Sequence, residues 1–161
     1  CILLTLLAEW PETIGMGVER SPAALALARA NAEAHGVADR AQLLEGDWFA
    51  PVRGRFGLVV SNPPYIPEAE VEALDPEVRD WEPMGALAAG PDGLADYRTL
   101  AAGLDRALAP GGRAILEIGA GQENDVAAIF AAQGFRLHAA HPDLDGRPRA
   151  LEFRRSEADF R

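Results

Sequence analysis

Lysine is absent from this chain of 161 residues: all 15 basic residues are arginine, against 25 acidic ones, and the net charge is −10. A mechanism through a lysine Schiff base or a P-loop lysine is thereby excluded. The acid excess also argues against broad, sequence-independent binding to nucleic acid, which needs a basic surface. Cysteine occurs once, as Cys1, so no intramolecular disulfide can form and a disulfide-stapled secreted domain is ruled out. The apolar run Cys1–Ala8 is far short of the roughly 20 residues that span a bilayer, and no membrane association is expected. It has no basic stretch before it and does not read as a signal peptide. It also has no capping residue ahead of it, so the expectation is a chain that begins inside a helix, with further sequence upstream. The three histidines, His35, His138 and His141, are scattered without metal-ligand spacing, and no metal is expected.

What is present suits a globular domain. Hydrophobic residues make up 48% and charged residues 25%, a composition that buries a core. The length fits one ordinary domain. The 31 alanines, with arginine as the only basic residue, read as a compositional bias more than a functional device.

Strand and helix signals alternate along the chain. Cys1 to Trp10 reads as helix, closed by Pro11. Thr13 to Val18 is a short apolar run ending at Glu19. Ser21-Pro22 supplies an N-cap and a proline in the first helical position, and the helix it opens carries Leu25, Ala28 and Ala32 before stopping at Gly36. Ala41 to Glu45 and Phe56 to Ser61 read as strands. Leu94 to Leu108 and Gln122 to Gln133 read as amphipathic helices, with Arg113 to Ile118 a strand between them. Strands near Phe135–His141 and Arg149–Phe153, joined by a turn at Asp143–Pro148, predict a closing hairpin. The stretch Asn62–Gly93 differs: it holds six of the twelve prolines and shows little periodicity beyond a turn or two around Glu68–Leu74. It is too long for a passive connection and reads as a functional loop or lid. The alternation predicts one α/β domain with a mostly parallel twisted sheet, helices on both faces and an antiparallel C-terminal hairpin.

In such sheets ligands gather beyond the carboxyl ends of the strands, where Glu19, Asp47 and Asn62 fall. Two readings stand for Glu19: an acceptor for both ribose hydroxyls, or a solvated acid favoured by the following helix N-terminus. Asp47-Trp48 suits an adenine, the carboxylate accepting from the exocyclic amine and the ring stacking; the alternative is a turn aspartate before two core aromatics. Asn62-Pro63-Pro64-Tyr65 carries the sharpest signal. Two prolines fix the backbone and remove two amide donors, which leaves the Asn62 side-chain oxygen and the Pro63 carbonyl as acceptors beside the Tyr65 ring. That set suits a planar NH₂ group. Acceptors placed off its plane favour a pyramidal nitrogen and free the lone pair for attack, a gain from positioning and preorganisation. A proline-rich turn after a core strand is the plainer alternative.

Taken together, Glu19, Gly46-Asp47-Trp48-Phe49 and Ser61-Asn62-Pro63-Pro64-Tyr65-Ile66-Pro67 resemble the class I S-adenosylmethionine-dependent methyltransferases of the NPPY type, with their Rossmann-like fold. More narrowly the chain resembles the bacterial release-factor glutamine-N5 methyltransferases. The narrower likeness rests on Glu77-Val78-Arg79, Glu82-Pro83, Gly90-Pro91-Asp92-Gly93-Leu94, Tyr97-Arg98, Pro110-Gly111-Gly112, Glu117-Ile118-Gly119 with Gln122, and Gly146-Arg147-Pro148-Arg149.

The resemblance implies the following roles. Glu19 would hold the ribose of S-adenosylmethionine, Asp47 its adenine amine, and Trp48 would pack by the adenine; Asn62 would also border the cofactor. Asn62, Pro63 and Tyr65 would be the catalytic set, and with Pro64 would receive the target glutamine amide. In the family that glutamine lies in the Gly-Gly-Gln loop of class I peptide-chain release factors. Transfer would be a direct in-line displacement at the sulfonium methyl, in the cytoplasm, with no direct contact to nucleic acid.

The family's first strand, the glycine-rich loop after it and a small N-terminal helical domain have no counterpart in residues 1–161. The expectation is therefore a methyltransferase domain whose opening strand and cofactor loop lie upstream. Glu19, where many relatives carry aspartate, keeps the acceptor pair at a longer reach. Two other functions remain open at this level: an N6-adenine methyltransferase of the NPPY type, and a non-catalytic binding module. Glu117 reads either as facing the site or as a satisfied strand-end acid. The acids Glu68, Glu70, Glu72, Asp75, Glu77, Asp80 and Glu82 read either as a solvated loop or as a surface for a basic partner.

Overall fold

In the computed structural model, which describes residues 1–156, the chain divides into two compact units, Cys1–Gly54 and a second from Arg55 onward. The first unit opens with α1 (Ile2–Glu9), which stops ahead of Pro11. Strand β1 (Gly15–Glu19) follows. Ser21 then caps α2 (Pro22–Ala34), its hydroxyl accepting from the Ala24 amide at 3.3 Å, with proline where no helical donor is needed. The helix ends two residues before Gly36, whose φ of +65° is a left-handed conformation that glycine adopts at little cost.

Strand β2 (Ala41–Glu45) pairs in parallel with β1, Gly15 opposite Ala41 and Glu19 opposite Glu45. Leu4 and Leu7 of α1, Ala32 of α2 and Val37 form the buried cluster, with Leu3, Ala41 and Leu43 packed on it. Gly15 and Gly17 are small because α1 lies against them: a Cβ at Gly15 would stand 2.4 Å from Leu3 Cδ1. Arg40 ties the unit together by donating to the carbonyls of Leu7 (2.6 Å), Thr13 (2.8 Å) and Trp10 (3.2 Å).

In the second unit β3 (Phe56–Ser61) pairs in parallel with β4 (Leu108–Glu117). β4 starts earlier than the sequence suggests. Leu108 pairs with Phe56, and the Pro110-Gly111-Gly112 turn becomes an irregularity before Arg113 meets Leu58. Gly112 is required there because a Cβ would lie 2.9 Å from the Ala109 carbonyl and 3.0 Å from that of Phe56. β5 (Phe135–Pro142) and β6 (Pro148–Arg155) form the expected hairpin, and β6 pairs antiparallel with β4, so the order is β3-β4-β6-β5. The strands thus form two sheets, a parallel pair in the first unit and this mixed sheet in the second.

Helix α5 (Ala95–Ala107) buries Tyr97, Leu100, Ala101, Leu104 and Ala107, a 3.6-residue stripe. Helix α6 (Glu123–Ala131) buries Val126 and Phe130. Phe130 stacks on Phe153 at 4.2 Å and meets Phe135 edge-on at 6.3 Å. Burial of each such ring contributes about 1.5–3 kcal/mol, and the ring geometry adds about 0.5–1.5 kcal/mol per pair.

Residues 62–93 contain more helix than their sequence suggests. Glu68–Ala73 forms 3₁₀ turns, and two four-residue helices follow, α3 (Pro76–Arg79) and α4 (Met84–Leu87). Single turns are too short to display a hydrophobic period; their signal is the proline at or just before the first helical residue.

Candidate active site

The first unit places its polar residues at strand ends. Glu19 is the last residue of β1, and its carbonyl accepts from the Gly46 amide just after β2 at 3.1 Å. One carboxylate oxygen accepts from the Ser21 amide at 2.8 Å. A carboxylate offers about four acceptor positions, so this bond orients Glu19 without exhausting it. Asp47 follows β2 with its side chain exposed, and Trp48 beside it is half-buried with φ of +45°. A bulky side chain in that region is strained by about 1–3 kcal/mol. The sharp turn lets Asp47 and Trp48 follow one strand end together while Phe49 turns into the core. A ribose–adenine group fits this set of acceptors: a diol opposite a carboxylate, an amine opposite a second carboxylate, and an aromatic face.

In the second unit Asn62 follows β3 directly and is exposed, while Pro63 beneath it is fully buried. The buried proline anchors the turn and presents the asparagine outward. Tyr65 is half-buried and held at several points. Its carbonyl accepts from Gln122 Nε2 at 3.0 Å, and its hydroxyl accepts from Arg149 Nη2 at 3.2 Å. The Arg149 guanidinium lies 5.4 Å from the Tyr65 ring centroid, a cation–π distance, and 3.6 Å from Glu117. The hydrogen bond to Tyr65 raises the Arg149 pKa further, so the cation is permanent. Glu117 is therefore a partnered acid at the end of β4.

Around Tyr65 two glycines make room for close packing. A Cβ on Gly93, whose φ is +72°, would stand 2.5 Å from the Tyr65 carbonyl oxygen. One on Gly119 would stand 2.6 Å from Gln122 Oε1 and 3.1 Å from the Tyr65 ring. Tyr97 is fully buried, its hydroxyl 3.2 Å from the Glu117 carbonyl and 3.3 Å from Gln122 Oε1. Burial pushes the Tyr97 pKa up, so the phenol stays a proton donor at any ordinary pH.

The lid is closed at its base. Ile66 and Ala88 form a parallel bridge, and Glu68 donates to the Gly90 carbonyl at 3.0 Å. Asp92 secures the exit, accepting from the Leu94 amide at 3.1 Å and from both terminal nitrogens of Arg98, at 3.2 and 2.6 Å. Its hydrogen bond to Arg98 holds the Asp92 carboxyl below its ordinary range. Trp81 and Met84 stand exposed on the lid among its acids.

Sequence reasoning assigns no role to Gln122, Tyr97 or Arg149, because their relation to Tyr65 is long-range. The only signal is their presence inside the motifs that carry the resemblance. Among the described residues no group of three or more His, Cys, Asp or Glu is placed to hold a metal, and no helix is long and apolar enough to cross a membrane.

Comparison with known proteins supplies relatives. The family model of the methyltransferase small domain matches residues 1–75. The release factor glutamine methyltransferase of Cereibacter sphaeroides is 52% identical over 154 residues, covering 96% of this chain and 55% of that protein. The protein of the same name from Rhodospirillum rubrum is 47% identical over 158 residues, 98% of this chain and 49% of that one. The chain thus spans about half the length of the curated relatives it matches. Among solved structures, an RNA methyltransferase from Salinibacter ruber in complex with S-adenosyl-L-homocysteine superposes with a TM-score of 0.59 at 19% identity, over 97% of this chain and 74% of that one. That likeness bears on fold, which is the Rossmann-like class I methyltransferase fold. Over the residues it shares with these relatives, the chain is similar to the release factor glutamine methyltransferases.

Proposed function

We propose that the protein transfers a methyl group from S-adenosylmethionine to the side-chain amide nitrogen of the glutamine in the Gly-Gly-Gln loop of class I peptide-chain release factors, in the cytoplasm. The observation that carries this reading is the identity of 52% across 96% of the chain with a protein of that name. The build of the Asn62–Tyr65 turn supports it.

When bound, the cofactor supplies a methyl on a sulfonium, already activated for displacement. Glu19 would accept from the ribose hydroxyls, Asp47 from the adenine amine, and Trp48 would cover the adenine, with Asn62 at the border of cofactor and acceptor. Asn62 Oδ1 and the Pro63 carbonyl would each take one N–H of the glutamine amide, with Pro64 and the Tyr65 ring beside its plane. Holding both protons by acceptors draws the nitrogen lone pair out of conjugation and toward the methyl, by preorganised electrostatics. S-adenosylhomocysteine would leave as the neutral thioether, and the methylated nitrogen would give up one N–H proton to solvent water. No side chain of the turn is a strong base, and none is needed to remove a proton before transfer.

The domain assignment belongs to the same reading. β1 pairs only with β2 and β3 only with β4 among the described residues, so each has an edge open to a further parallel strand.

The activity is tested by incubating full-length protein with methyl-labelled cofactor and, separately, release factor, tRNA and DNA. Label on the release-factor glutamine is expected. Label only in nucleic acid would assign the turn to adenine methylation, and no transfer at all would favour a binding module.

A further inference from the structure

We propose that Gln122 and Arg149 are positioning residues that hold Tyr65 from its two ends, backbone and phenol, so that its ring lies where an acceptor amide must stack. The inference rests on reading Asn62–Tyr65 as the amide site.

Gln122 stands ahead of α6, where its carbonyl accepts from the Val126 amide at 3.0 Å. Its side chain folds back over Gly119, which has no Cβ to block it. Both halves of the amide are then used. The oxygen accepts from the Gly119 amide at 2.9 Å and faces the Tyr97 hydroxyl at 3.3 Å. The nitrogen donates to the Tyr65 carbonyl at 3.0 Å and lies 3.5 Å from that of Gly93. Reversing the amide would oppose donor to donor at Gly119 and acceptor to acceptor at Tyr65, so its orientation is determined. One side chain therefore joins the entrance of the lid at Tyr65, its exit at Gly93 and the end of β4.

Arg149 comes from a different element. The backbone of β6 fixes its origin, the Arg149 carbonyl accepting from the Ile118 amide at 2.9 Å, and Glu117 draws the guanidinium toward the phenol. A half-buried tyrosine otherwise turns about two side-chain bonds. With its carbonyl tied to Gln122 and its hydroxyl to Arg149, neither the turn nor the ring is free to drift. Displacement of a positioned group by about 1 Å can cost about a hundredfold in rate, so contacts remote from the acceptor would register in kcat.

The test uses full-length protein, S-adenosylmethionine and a release factor as acceptor, with cofactor affinity and thermal midpoint measured on each variant. Gln122→Glu keeps acceptors for Gly119 and Tyr97 but offers no donor to Tyr65 or Gly93. A fall in kcat of about thirtyfold is expected, with cofactor affinity within about threefold of wild type. For Arg149 a double-mutant cycle with Tyr65→Phe isolates the contact. Arg149→Met and Tyr65→Phe should each lower kcat about tenfold, and the double variant should fall little further.

Near-wild-type turnover by Gln122→Glu, or a loss of cofactor affinity parallel to the loss of rate, would overturn the role of Gln122. Losses that multiply in the double variant would overturn that of Arg149. Asn62→Ala separates the two levels: wild-type transfer abolished by Asn62→Ala but untouched by the Gln122 and Arg149 variants refutes this inference alone. A wild type that methylates no glutamine refutes the underlying reading and this inference together.

Discussion

The residues proposed for the cofactor and those proposed for the acceptor are built in opposite ways. Glu19 is oriented by Ser21, two positions away, and Asp47 and Trp48 are presented by a single strained turn. Tyr65 is oriented by Gln122, 57 positions away, and by Arg149, 84 positions away. A site assembled from neighbours in sequence retains its geometry if its own strand end survives. One assembled across the fold depends on every element that contributes to it. The acceptor side should therefore be the more sensitive to distant substitution, and its damage should appear in turnover rather than in cofactor affinity.

The strongest test of that contrast is Asn62→Ala. Loss of one preorganised electrostatic partner costs about 10²–10³-fold in kcat, and cofactor affinity should change little. If calorimetric titration with S-adenosylhomocysteine shows affinity falling as far as turnover does, the division between the two sides collapses.

Gly93→Ala attacks the acceptor side through its scaffold. It forces a Cβ to 2.5 Å from the Tyr65 carbonyl at a φ of +72°, and overpacking with backbone strain should destabilise by about 2–3 kcal/mol. Urea unfolding measures it; an unchanged midpoint would mean that the lid base yields more readily than its hydrogen bonds suggest.

Glu19→Gln probes the local side. It retains size and one acceptor but removes the charge, and weakening of cofactor binding by about tenfold is expected with kcat at saturation nearly unchanged. A fall in kcat with affinity intact would reverse the assignment.

The smallest effect lies away from both sites. Glu152 is a buried acid whose desolvation would raise its pKa. Its hydrogen bond and ion pair with Arg154, both at 2.8 Å, outweigh that and hold it below the ordinary 4.5. A carboxyl depressed in the folded state stabilises the fold above its unfolded pKa and loses that contribution as pH falls through the lower folded value. A shallow acid-side loss of stability is expected below about pH 4.5, and Glu152→Gln should flatten that limb of a pH–stability curve. Turnover near neutrality should not follow it.

Much of the fold was legible because its signals are local. Ser21-Pro22, Gly36 and Gly134 mark helix starts and stops, and the strands Ala41–Glu45 and Phe56–Ser61 lie where their apolar runs stand. The two single-turn helices in the lid were not legible, since four residues cannot express a period. The early start of β4 was hidden because Pro110-Gly111-Gly112 signals a turn whether or not the strand resumes across it. That Glu19 closes β1, and that Asp47 and Asn62 come just after β2 and β3, was legible from the apolar runs and the turn residues that end them.

The sequence by itself therefore determined the order of elements, the absence of lysine chemistry, and which short motifs could touch a cofactor and an amide. These properties reside in residue type and in spacing over a few positions. Only the tertiary structure decided that Gln122 reaches Tyr65 past Gly119, that Arg149 caps its phenol, and that Glu117 is a partnered acid. The physical reason is chain folding itself: strand pairing and helix packing choose which distant side chains meet, and no local propensity records that choice.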